Sequence, residues 1–231
     1  MDTIFFDLDG TLTDPKPGIT RSIRYALQKL DRADIPAEDE LTWCIGPPLR
    51  SSFVKMLGED SADRAVSLYR ERFSDIGLYE NARYDGILEV LTTLGNSGHR
   101  LFVATSKALV FADRIVDHFG LRPHFERVFG AELDGTRADK GDLLAYALKE
   151  TDVDPFKTLM IGDRSHDMIG AGKNGIKGIG VLYGYGSRNE PIGAGARHVC
   201  ATPGEILSCV SWALRPRGTR AAITGSRVNR S

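Results

Sequence analysis

The sequence predicts an α/β fold, with a Rossmann-like parallel sheet as its core and a helical cap inserted after the first strand. From residue 84 onwards, apolar runs of strand length alternate with helical patterns across short connections, which favours a parallel sheet covered on both faces. Residues 15–82 carry several helical patterns and no convincing strand. Acidic and hydroxyl residues follow several apolar runs, at the edge where such sheets bind ligands.

The first strand and the helical insertion make up the first part of the chain. The apolar run TIFFDL (3–8) predicts a buried strand, and Asp9-Gly10-Thr11 predicts the turn after it. Apolar residues at helical spacing predict the helices of the insertion, which cover 18–31, 49–57 and 61–76. Because the insertion follows the first strand directly, we expect it to lie over the carboxyl edge of the sheet as a lid.

The remaining strands and helices alternate along the chain. We expect strands over 99–106, 127–132, 157–163, 178–184 and 198–201, and helices over 85–98, 108–119, 140–150, 165–174 and 203–213. The chain then divides into an α/β core (1–14 and 83–214), a helical cap (15–82) and a basic C-terminal tail (215–231).

The composition is that of an ordinary globular protein of 231 residues, with 42% hydrophobic and 26% charged residues. The net charge of −1 gives no global basic field, so we expect no nucleic-acid polymer as a partner. The charge is uneven, because the last 17 residues hold five Arg and no acid. We expect this tail to be a disordered terminus rather than a specific binding arm.

The cysteines indicate a reducing compartment. Cys44, Cys200 and Cys209 are scattered and form no CxxC or Cys/His pattern. The N-terminal Met-Asp-Thr runs directly into a strand and does not resemble a signal peptide. No apolar run approaches the ~18 residues that a membrane span needs. We therefore expect a cytoplasmic protein with no membrane partner, either a monomer or a homodimer.

Polar side chains from four segments should meet at one edge of the sheet. They are Asp7 and Asp9 after the first strand, Thr105 and Ser106 at the end of the next, Lys140 at a helix start, and Asp163 and Asp167 in GDRSHD (162–167). Clustered carboxylates repel one another unless a cation lies between them. Oxygen ligands with room for water and a phosphate favour Mg²⁺ over zinc. The sequence therefore predicts a magnesium site.

These residue types support phosphoryl transfer. A carboxylate can attack phosphorus and form an aspartyl phosphate. A second carboxyl group two residues further on can protonate the leaving alkoxide and then activate water. Lys140 would neutralise the nucleophile and the phosphoryl oxygens, and Thr105 would hold those oxygens together with backbone N–H groups. The non-catalytic alternatives are that Asp7 and Asp9 cap a turn and that Lys140 is a solvated lysine at a helix start.

The motifs resemble those of the haloacid dehalogenase (HAD) superfamily of phosphohydrolases. They are DLDGT at 7–11, an apolar strand ending in Thr105, Lys140, and GDRSHD at 162–167, and the resemblance spans about residues 3–213. It implies that Asp7 is the nucleophile and Asp9 the acid/base. It also implies that Mg²⁺ is held by Asp7, the carbonyl of Asp9 and Asp163, with Asp167 supporting the metal site.

The insertion resembles the small helical cap of that superfamily. LTDP (12–15), IGPPL (45–49) and the run from GDRSHD to GYGS resemble the phosphoglycolate phosphatase-like or bacterial 5′-nucleotidase-like branch. Loops carry this finer match, and substrate choice changes readily on one fold. Within the cap, Gly46 and Arg50 are candidate substrate residues, with Arg50 suited to a carboxylate or second phosphate. IGPPL is also an ordinary helix start, because Pro is at home in a first turn.

The roles of four further residues stay open. Ser106 is a candidate substrate residue, and for Ser106 and Lys107 functional and structural roles are equally open. Arg164 either contacts substrate or pairs with a neighbouring carboxylate. His166 either tunes Asp167 or has no role.

We predict a Mg²⁺-dependent phosphomonoesterase for a small phosphorylated metabolite, either phosphoglycolate or a nucleoside 5′-monophosphate. The alternatives are a sugar phosphomutase of the same fold and a non-catalytic binding or regulatory module. A phosphonatase needs a Schiff-base lysine in the cap, and Lys16, Lys29 and Lys55 lie in no evident catalytic loop. A dehalogenase uses the first aspartate without metal, so the additional acids argue against it.

Overall fold

Alternate side chains of the central strand enter two apolar cores, one on each face of the sheet. In β1 (Thr3–Phe6), Ile4 and Phe6 join one core and Phe5 joins the other, and all three are fully buried. A strand covered on both faces needs apolar residues at consecutive positions, which explains the run IFF. The computed structural model describes residues 2–214, so the predicted basic tail (215–231) lies outside the described residues.

The described residues form eight strands, and six of them, all except β2 and β3, make one parallel sheet. After β1, the strands are β2 (Thr13–Asp14), β3 (Ala82–Arg83), β4 (Arg100–Ala108), β5 (Arg127–Ala131), β6 (Thr158–Gly162), β7 (Lys177–Val181) and β8 (His198–Cys200). The order in the sheet is β5-β4-β1-β6-β7-β8, and all neighbours pair in parallel. The chain reverses its direction of travel across the sheet at β1, between β4 and β6. This is the crevice where open parallel sheets bind ligands.

Helices cover both faces of this sheet. They are α1 (Lys16–Lys29), α2 (Leu49–Leu57), α3 (Glu59–Arg72), α4 (Ile87–Asn96), α5 (Leu109–His118), α6 (Lys140–Thr151), α7 (Ser165–Lys173), α8 (Asn189–Gly193) and α9 (Glu205–Leu214). Leu143 of α6 and Ala171 of α7 pack into the core with Phe5, whereas Leu91 of α4 and Val210 of α9 pack on the other face. The predicted α/β fold is confirmed. Among residues 2–214, no helix has the length and apolar character needed to cross a bilayer.

Two strand ends differ from the prediction at the edge that carries the polar residues. β1 ends at Phe6 rather than at residue 8, so Asp7 and Asp9 lie in the loop after the strand. β4 continues to Ala108 rather than ending at 106, and its pairing with β5 is irregular between Thr105 and Ala108. An apolar pattern marks which residues are buried but not where backbone pairing stops, which is why these boundaries were wrong.

The other corrections concern loops. β7 ends at Val181 instead of residue 184, and α8 is a helix that the sequence did not predict. The helix predicted over 61–76 is α3 followed by a π-helical turn (Phe73–Gly77), and a short 3₁₀ helix (Asp39–Cys44) precedes α2.

A two-stranded ribbon lies where the chain enters and leaves the insertion. Thr13 pairs with Arg83 and Asp14 with Ala82, in antiparallel fashion. The prediction of no strand within 15–82 is wrong at Ala82, because a strand of two residues carries no periodic signal.

Candidate active site

The loop after β1 holds its two acids in different settings. The Asp7 N–H donates to the carbonyl of Ile161 at 2.9 Å, which continues the pairing of β1 with β6. Leu8 is fully buried in the apolar core between the two acids. Gly10 follows with φ +82°, and a Cβ there would lie 2.3 Å from Asp163 Oδ2. A glycine is therefore required for this loop to approach the loop after β6.

Lys140 lies between two carboxylates. Its Nζ is 2.9 Å from Asp7 Oδ1 and 2.8 Å from Asp167 Oδ1, and it donates to the carbonyl of Ala104 at 2.8 Å. Burial disfavours the charged ammonium, but Asp167 and Asp7 outweigh this effect and raise the pKa of Lys140. Lys140 begins α6, and these carboxylates supply the anionic partners that a cation needs at a helix N-terminus.

The loop after β6 holds Asp163 and Asp167 in fixed orientations. Asp163 Oδ2 accepts a hydrogen bond from the Tyr185 N–H at 2.7 Å, and Asp167 Oδ2 accepts one from the Arg164 N–H at 3.1 Å. Burial, together with the charges of Asp167 and Asp7, raises the pKa of Asp163 well above its usual range. Burial also raises the pKa of Asp167, to about 6, while Lys140 opposes the change. The carboxylates of this site are therefore short of positive charge.

The residues present fit a divalent cation. Asp7, Asp163 and Asp167 each offer a carboxylate oxygen, and these oxygens lie within 4.8 Å of one another. Asp163 Oδ1 is buried and has no hydrogen-bond partner among the described residues. With Asp9 included, four carboxylates face two ammonium groups, Lys140 and Lys107, which leaves two negative charges. An all-oxygen donor set of this charge is suited to Mg²⁺.

Asp9 contacts a lysine whose role the sequence left open. Lys107 Nζ lies 2.6 Å from Asp9 Oδ2 and 4.6 Å from the centre of the Phe73 ring. Both charged side chains are less than one-tenth exposed, at 8% and 9%. Burial raises the pKa of Asp9, and Lys107 opposes that change. Asp9 Oδ1 is buried without a partner among the described residues.

Thr105 and Ser106 lie in β4 next to this pair. Thr105 is buried, and its Oγ1 accepts a hydrogen bond from the Lys107 N–H at 3.3 Å. Both residues line a cavity of about 620 Å³ that runs from the acids to the insertion. The walls of this cavity combine apolar and aromatic side chains with polar ones, among them Ile19, Leu49, Ser67, Tyr69, Arg70, Phe73 and Phe111.

Arg50 and Gly46, the two candidate substrate residues of the cap, also line the cavity. Arg50 forms ion pairs with Glu59 at 2.9 Å and Asp63 at 2.7 Å, and its side chain is half exposed. A substrate anion would have to compete with these carboxylates. Gly46 has φ +102°, and a Cβ there would lie 2.7 Å from Arg164 Cγ. The structure thus places Gly46 against Arg164 as well as at the cavity.

Several contacts of the site carry no signal in the sequence. Arg164 pairs with Glu190 at 3.0 Å, which fulfils the expectation of a neighbouring carboxylate, although Glu190 lies in the unpredicted α8. The Tyr185 N–H that holds Asp163 comes from the loop after β7, for which the sequence predicted no site residue. Burial, followed by the charge of Arg164, lowers the pKa of His166. The glycines of GYGS are the one local feature that indicates a close backbone approach, since a Cβ at Gly184 would lie 2.5 Å from Asp163.

The fold and the site together are those of an α/β protein with a cluster of buried carboxylates at the switch point of its parallel sheet. The profile of the family described as haloacid dehalogenase-like hydrolase matches residues 4–181. The chain therefore belongs to the haloacid dehalogenase-like hydrolase family, as the motifs predicted.

Several similar proteins are nucleotidases or phosphatases by name. A 5′-nucleotidase from Pseudomonas aeruginosa is 49% identical over 86% of this chain and 90% of its own length. A phosphoglycolate phosphatase from Caulobacter vibrioides is 32% identical over 82% of each chain. A crystal structure described as a predicted phosphatase from Clostridium acetobutylicum has a TM-score of 0.88, at 39% identity over 91% of this chain and 98% of that one. The protein is a phosphatase of the HAD family.

Other similar proteins have different names. The tyrosine-protein kinase PtkA from Mycobacterium tuberculosis is 44% identical over 79% of this chain, which spans 62% of the length of PtkA. The same core therefore occurs in proteins named for different phosphoryl-transfer reactions.

Proposed function

We propose that this phosphatase is a Mg²⁺-dependent phosphomonoesterase that forms an aspartyl phosphate on Asp7. The contact of Lys140 with both Asp7 and Asp167 is the observation that carries the proposal. It brings a buried cation and an acid of the loop after β6 to the candidate nucleophile Asp7, which lines the cavity. A structural ion pair alone does not account for Asp163 Oδ1, which is buried beside them and has no hydrogen-bond partner within residues 2–214.

The reaction proceeds in two displacements at phosphorus. An Asp7 oxygen attacks the phosphorus atom, the bond from phosphorus to the leaving oxygen breaks, and Asp9 gives that oxygen a proton. Water then attacks the phosphorus of the aspartyl phosphate, Asp9 takes a proton from the water, and the bond to Asp7 breaks. Lys140 and Thr105 hold the phosphoryl oxygens and offset their charge during both steps.

Asp7, Asp163 and the backbone carbonyl of Asp9 are the proposed Mg²⁺ ligands. Mg²⁺ bound there supplies positive charge to the phosphoryl oxygens and reduces the repulsion among the carboxylates. Asp167 supports this site through Lys140, whose ammonium it holds at 2.8 Å.

The cavity favours a nucleoside 5′-monophosphate over phosphoglycolate. Its volume of about 620 Å³ lies in the range of pockets that enclose ligands of roughly drug size, of about 300–1,000 Å³. Phosphoglycolate has only two carbon atoms beside its phosphate and would leave most of this space empty. Tyr69 and Phe73, whose rings stack at 5.0 Å, are almost fully buried and make this wall of the cavity apolar. The 49% identical relative named 5′-nucleotidase supports this choice.

We also propose that residues 15–82 act as a cap that opens for substrate exchange and closes over the cavity. The ribbon of β2 and β3 supports this division, because it joins the two chain crossings between insertion and core. A cytoplasmic location and a monomeric or homodimeric state stay predictions.

Phosphate release from a panel of phosphoesters, with Mg²⁺ and with chelator, tests the proposal. The panel contains several nucleoside 5′-monophosphates, phosphoglycolate, sugar phosphates and p-nitrophenyl phosphate. We expect Mg²⁺-dependent release with a nucleoside monophosphate as the best substrate, and loss of release in Asp7→Asn. Best turnover of phosphoglycolate would refute the reading of the cavity, and interconversion of sugar phosphates would favour the phosphomutase. Undiminished release by Asp7→Asn would refute the assignment of the nucleophile.

A further inference from the structure

The loop that carries Asp163 and Asp167 reaches the inserted segment through the side chain of Arg164. Its guanidinium Nη1 donates to the backbone carbonyl of Ile45, in the loop that precedes α2. The two residues lie 119 positions apart in the chain. The Arg164 side chain is 12% exposed, so this contact is largely protected from water. It joins the metal-binding edge of the core to the cap.

Glu190 fixes the direction of the guanidinium. Its Oε1 accepts hydrogen bonds from Arg164 Nε at 3.0 Å, from the Ser165 N–H at 2.8 Å and from Ser165 Oγ at 3.0 Å. One carboxylate oxygen thus holds both the Arg164 side chain and the first turn of α7. Because the guanidinium is planar and rigid, pairing its Nε with Glu190 directs the remaining N–H groups towards Ile45.

Gly46 allows the cap loop to approach Arg164. Its φ of +102° is a conformation that side-chain-bearing residues rarely adopt, and a Cβ would lie 2.7 Å from Arg164 Cγ. The next residues, Pro47 and Pro48, line the cavity together with Gly46. The position of Arg164 therefore sets the position of one cavity wall.

The backbone of Arg164 contacts an acid of the site, whereas its side chain contacts the cap. Its N–H donates to Asp167 Oδ2 at 3.1 Å, while Asp167 Oδ1 lies 2.8 Å from Lys140 Nζ. Movement of Arg164 would therefore shift the carboxylate that holds Lys140. The same residue follows Asp163, a proposed Mg²⁺ ligand, directly in the chain.

We propose that Arg164 is a positioning residue that couples docking of the Ile45–Pro48 loop to the cation site at Asp163. The inference rests on the cap and the Mg²⁺ site of the proposed function. In the docked state the Ile45 carbonyl holds Arg164, and Arg164 holds the loop from Asp163 to Asp167. Because such coupling is reciprocal, docking of the cap loop strengthens Mg²⁺ binding, and Mg²⁺ favours the docked loop.

The test compares the midpoint of Mg²⁺ binding, which is the concentration that fills half of the sites, in the parent and in variants. It is fitted from the rise of Tm with Mg²⁺ concentration. Arg164→Ala removes the bridge from the core side, and Gly46→Ala displaces it from the cap side without touching an acid. Arg100→Ala is the matched control, since the Arg100 guanidinium also pairs with a carboxylate, Glu126 at 2.7 Å, and a backbone carbonyl, that of Thr151 at 3.3 Å. We expect the midpoint to rise about fivefold or more in both test variants and to stay within about twofold of the parent in the control.

Trp43 gives a second readout that needs neither metal nor turnover. It lies two residues before Ile45, and the only other tryptophan, Trp212, is 55% exposed on α9. With Trp212→Phe as the background, Trp43 alone reports on the cap loop. We expect acrylamide to quench its fluorescence more strongly in Arg164→Ala and in Gly46→Ala, whereas the control is unchanged. Arg164→Lys should fall between parent and Arg164→Ala, because a lysine lacks the fork that spans Glu190 and Ile45.

The outcomes separate this inference from the proposed function. If Mg²⁺ stabilises the parent but all variants share its midpoint, the coupling is refuted and the metal site stands. If the midpoints rise but Trp43 quenching is unchanged, Arg164 does not act through the cap loop and the proposal fails. If Mg²⁺ does not stabilise the parent at all, the coupling and the metal site both fail, and the phosphoester panel with chelator still tests hydrolysis. If Arg164→Ala does not fold, Gly46→Ala decides the question alone.

Discussion

Replacing Asp163 by Asn should stabilise the protein in the absence of metal while abolishing its response to Mg²⁺. Asp163 is fully buried, and one of its oxygens has no hydrogen-bond partner in the part of the chain that the structure describes. Its neighbours Asp7 and Asp167 are also acids. Lys140 contacts those two neighbours, so it compensates them better than it compensates Asp163. The amide of Asn has nearly the same shape, and its oxygen can still accept the hydrogen bond from the Tyr185 N–H.

The expected gain follows from the spacing of the carboxylates. Two unit charges at 4.8 Å repel by about 3.5 kcal/mol at an effective dielectric constant of about 20, and Asp163 faces two such charges. Attraction to Lys140 across the cluster and a weaker hydrogen bond from the Tyr185 N–H offset part of that repulsion. We therefore expect a net gain of about 2 kcal/mol in the free energy of unfolding, which is about 4–8 °C in Tm for a chain of this length.

The raised pKa of Asp163 determines how the stability difference between Asp163→Asn and wild type changes with pH. A carboxyl group whose pKa is higher in the folded state destabilises that state once the unfolded chain loses its proton, above about pH 4. The advantage of Asp163→Asn over wild type in chelator should therefore be absent near pH 3 and should grow as the pH rises towards 7.

Thermal melts with EDTA and with Mg²⁺ measure both effects. Asp85→Asn is the control, because Asp85 is an exposed acid outside the site. We expect Mg²⁺ to raise the Tm of wild type and of the control, and to leave Asp163→Asn unchanged. A Tm of Asp163→Asn in EDTA at or below that of wild type would show that repulsion among these acids is not what shapes the site.

Lys140→Met should lower the free energy of unfolding by about 3–5 kcal/mol, because it leaves Asp7 and Asp167 buried without their cation. Denaturant melts should show this loss, and adding Asp163→Asn should restore part of it. Thr105→Val should lower kcat/KM for the best substrate by about 10–100-fold with little change in Tm, because it removes the cavity hydroxyl that we propose to hold the phosphoryl oxygens. Unchanged steady-state kinetics would exclude that role. Glu80→Gln should destabilise the protein at pH 7 but progressively less below about pH 4. The reason is that hydrogen bonding to Arg72 lowers the pKa of Glu80, although burial opposes this change. A difference in Tm between variant and wild type that stayed constant over this pH range would contradict the reasoning.

The sequence predicted the convergence of Asp7, Lys140 and Asp163 because that convergence follows from topology. Each residue stands just after a strand or at the start of a helix, and parallel strands bring their carboxyl ends to one edge. Binary pattern and motif order were sufficient for this part of the site. They were also sufficient for the central strand, whose apolar residues enter both cores.

The contacts that hold these residues in place were beyond sequence reasoning. Arg164 meets Ile45 across 119 positions, and Tyr185 meets Asp163 through a backbone N–H, which no side-chain pattern records. The ion pair of Lys107 and Asp9 requires Thr105–Lys107 to remain within β4, and the apolar pattern ends before this segment. Such contacts depend on loop paths and strand ends rather than on periodicity.

Trapping the phosphoenzyme tests the central claim most directly. Wild type and Asp7→Asn would each be mixed with Mg²⁺ and a nucleoside 5′-monophosphate labelled with ³²P, quenched in acid within a single turnover, and analysed for protein-bound label. The account predicts acid-stable, base-labile label on wild type, located on the peptide that contains Asp7, and none on Asp7→Asn. Phosphate release by wild type without any labelled enzyme over the turnover, or label on a different residue, would contradict it.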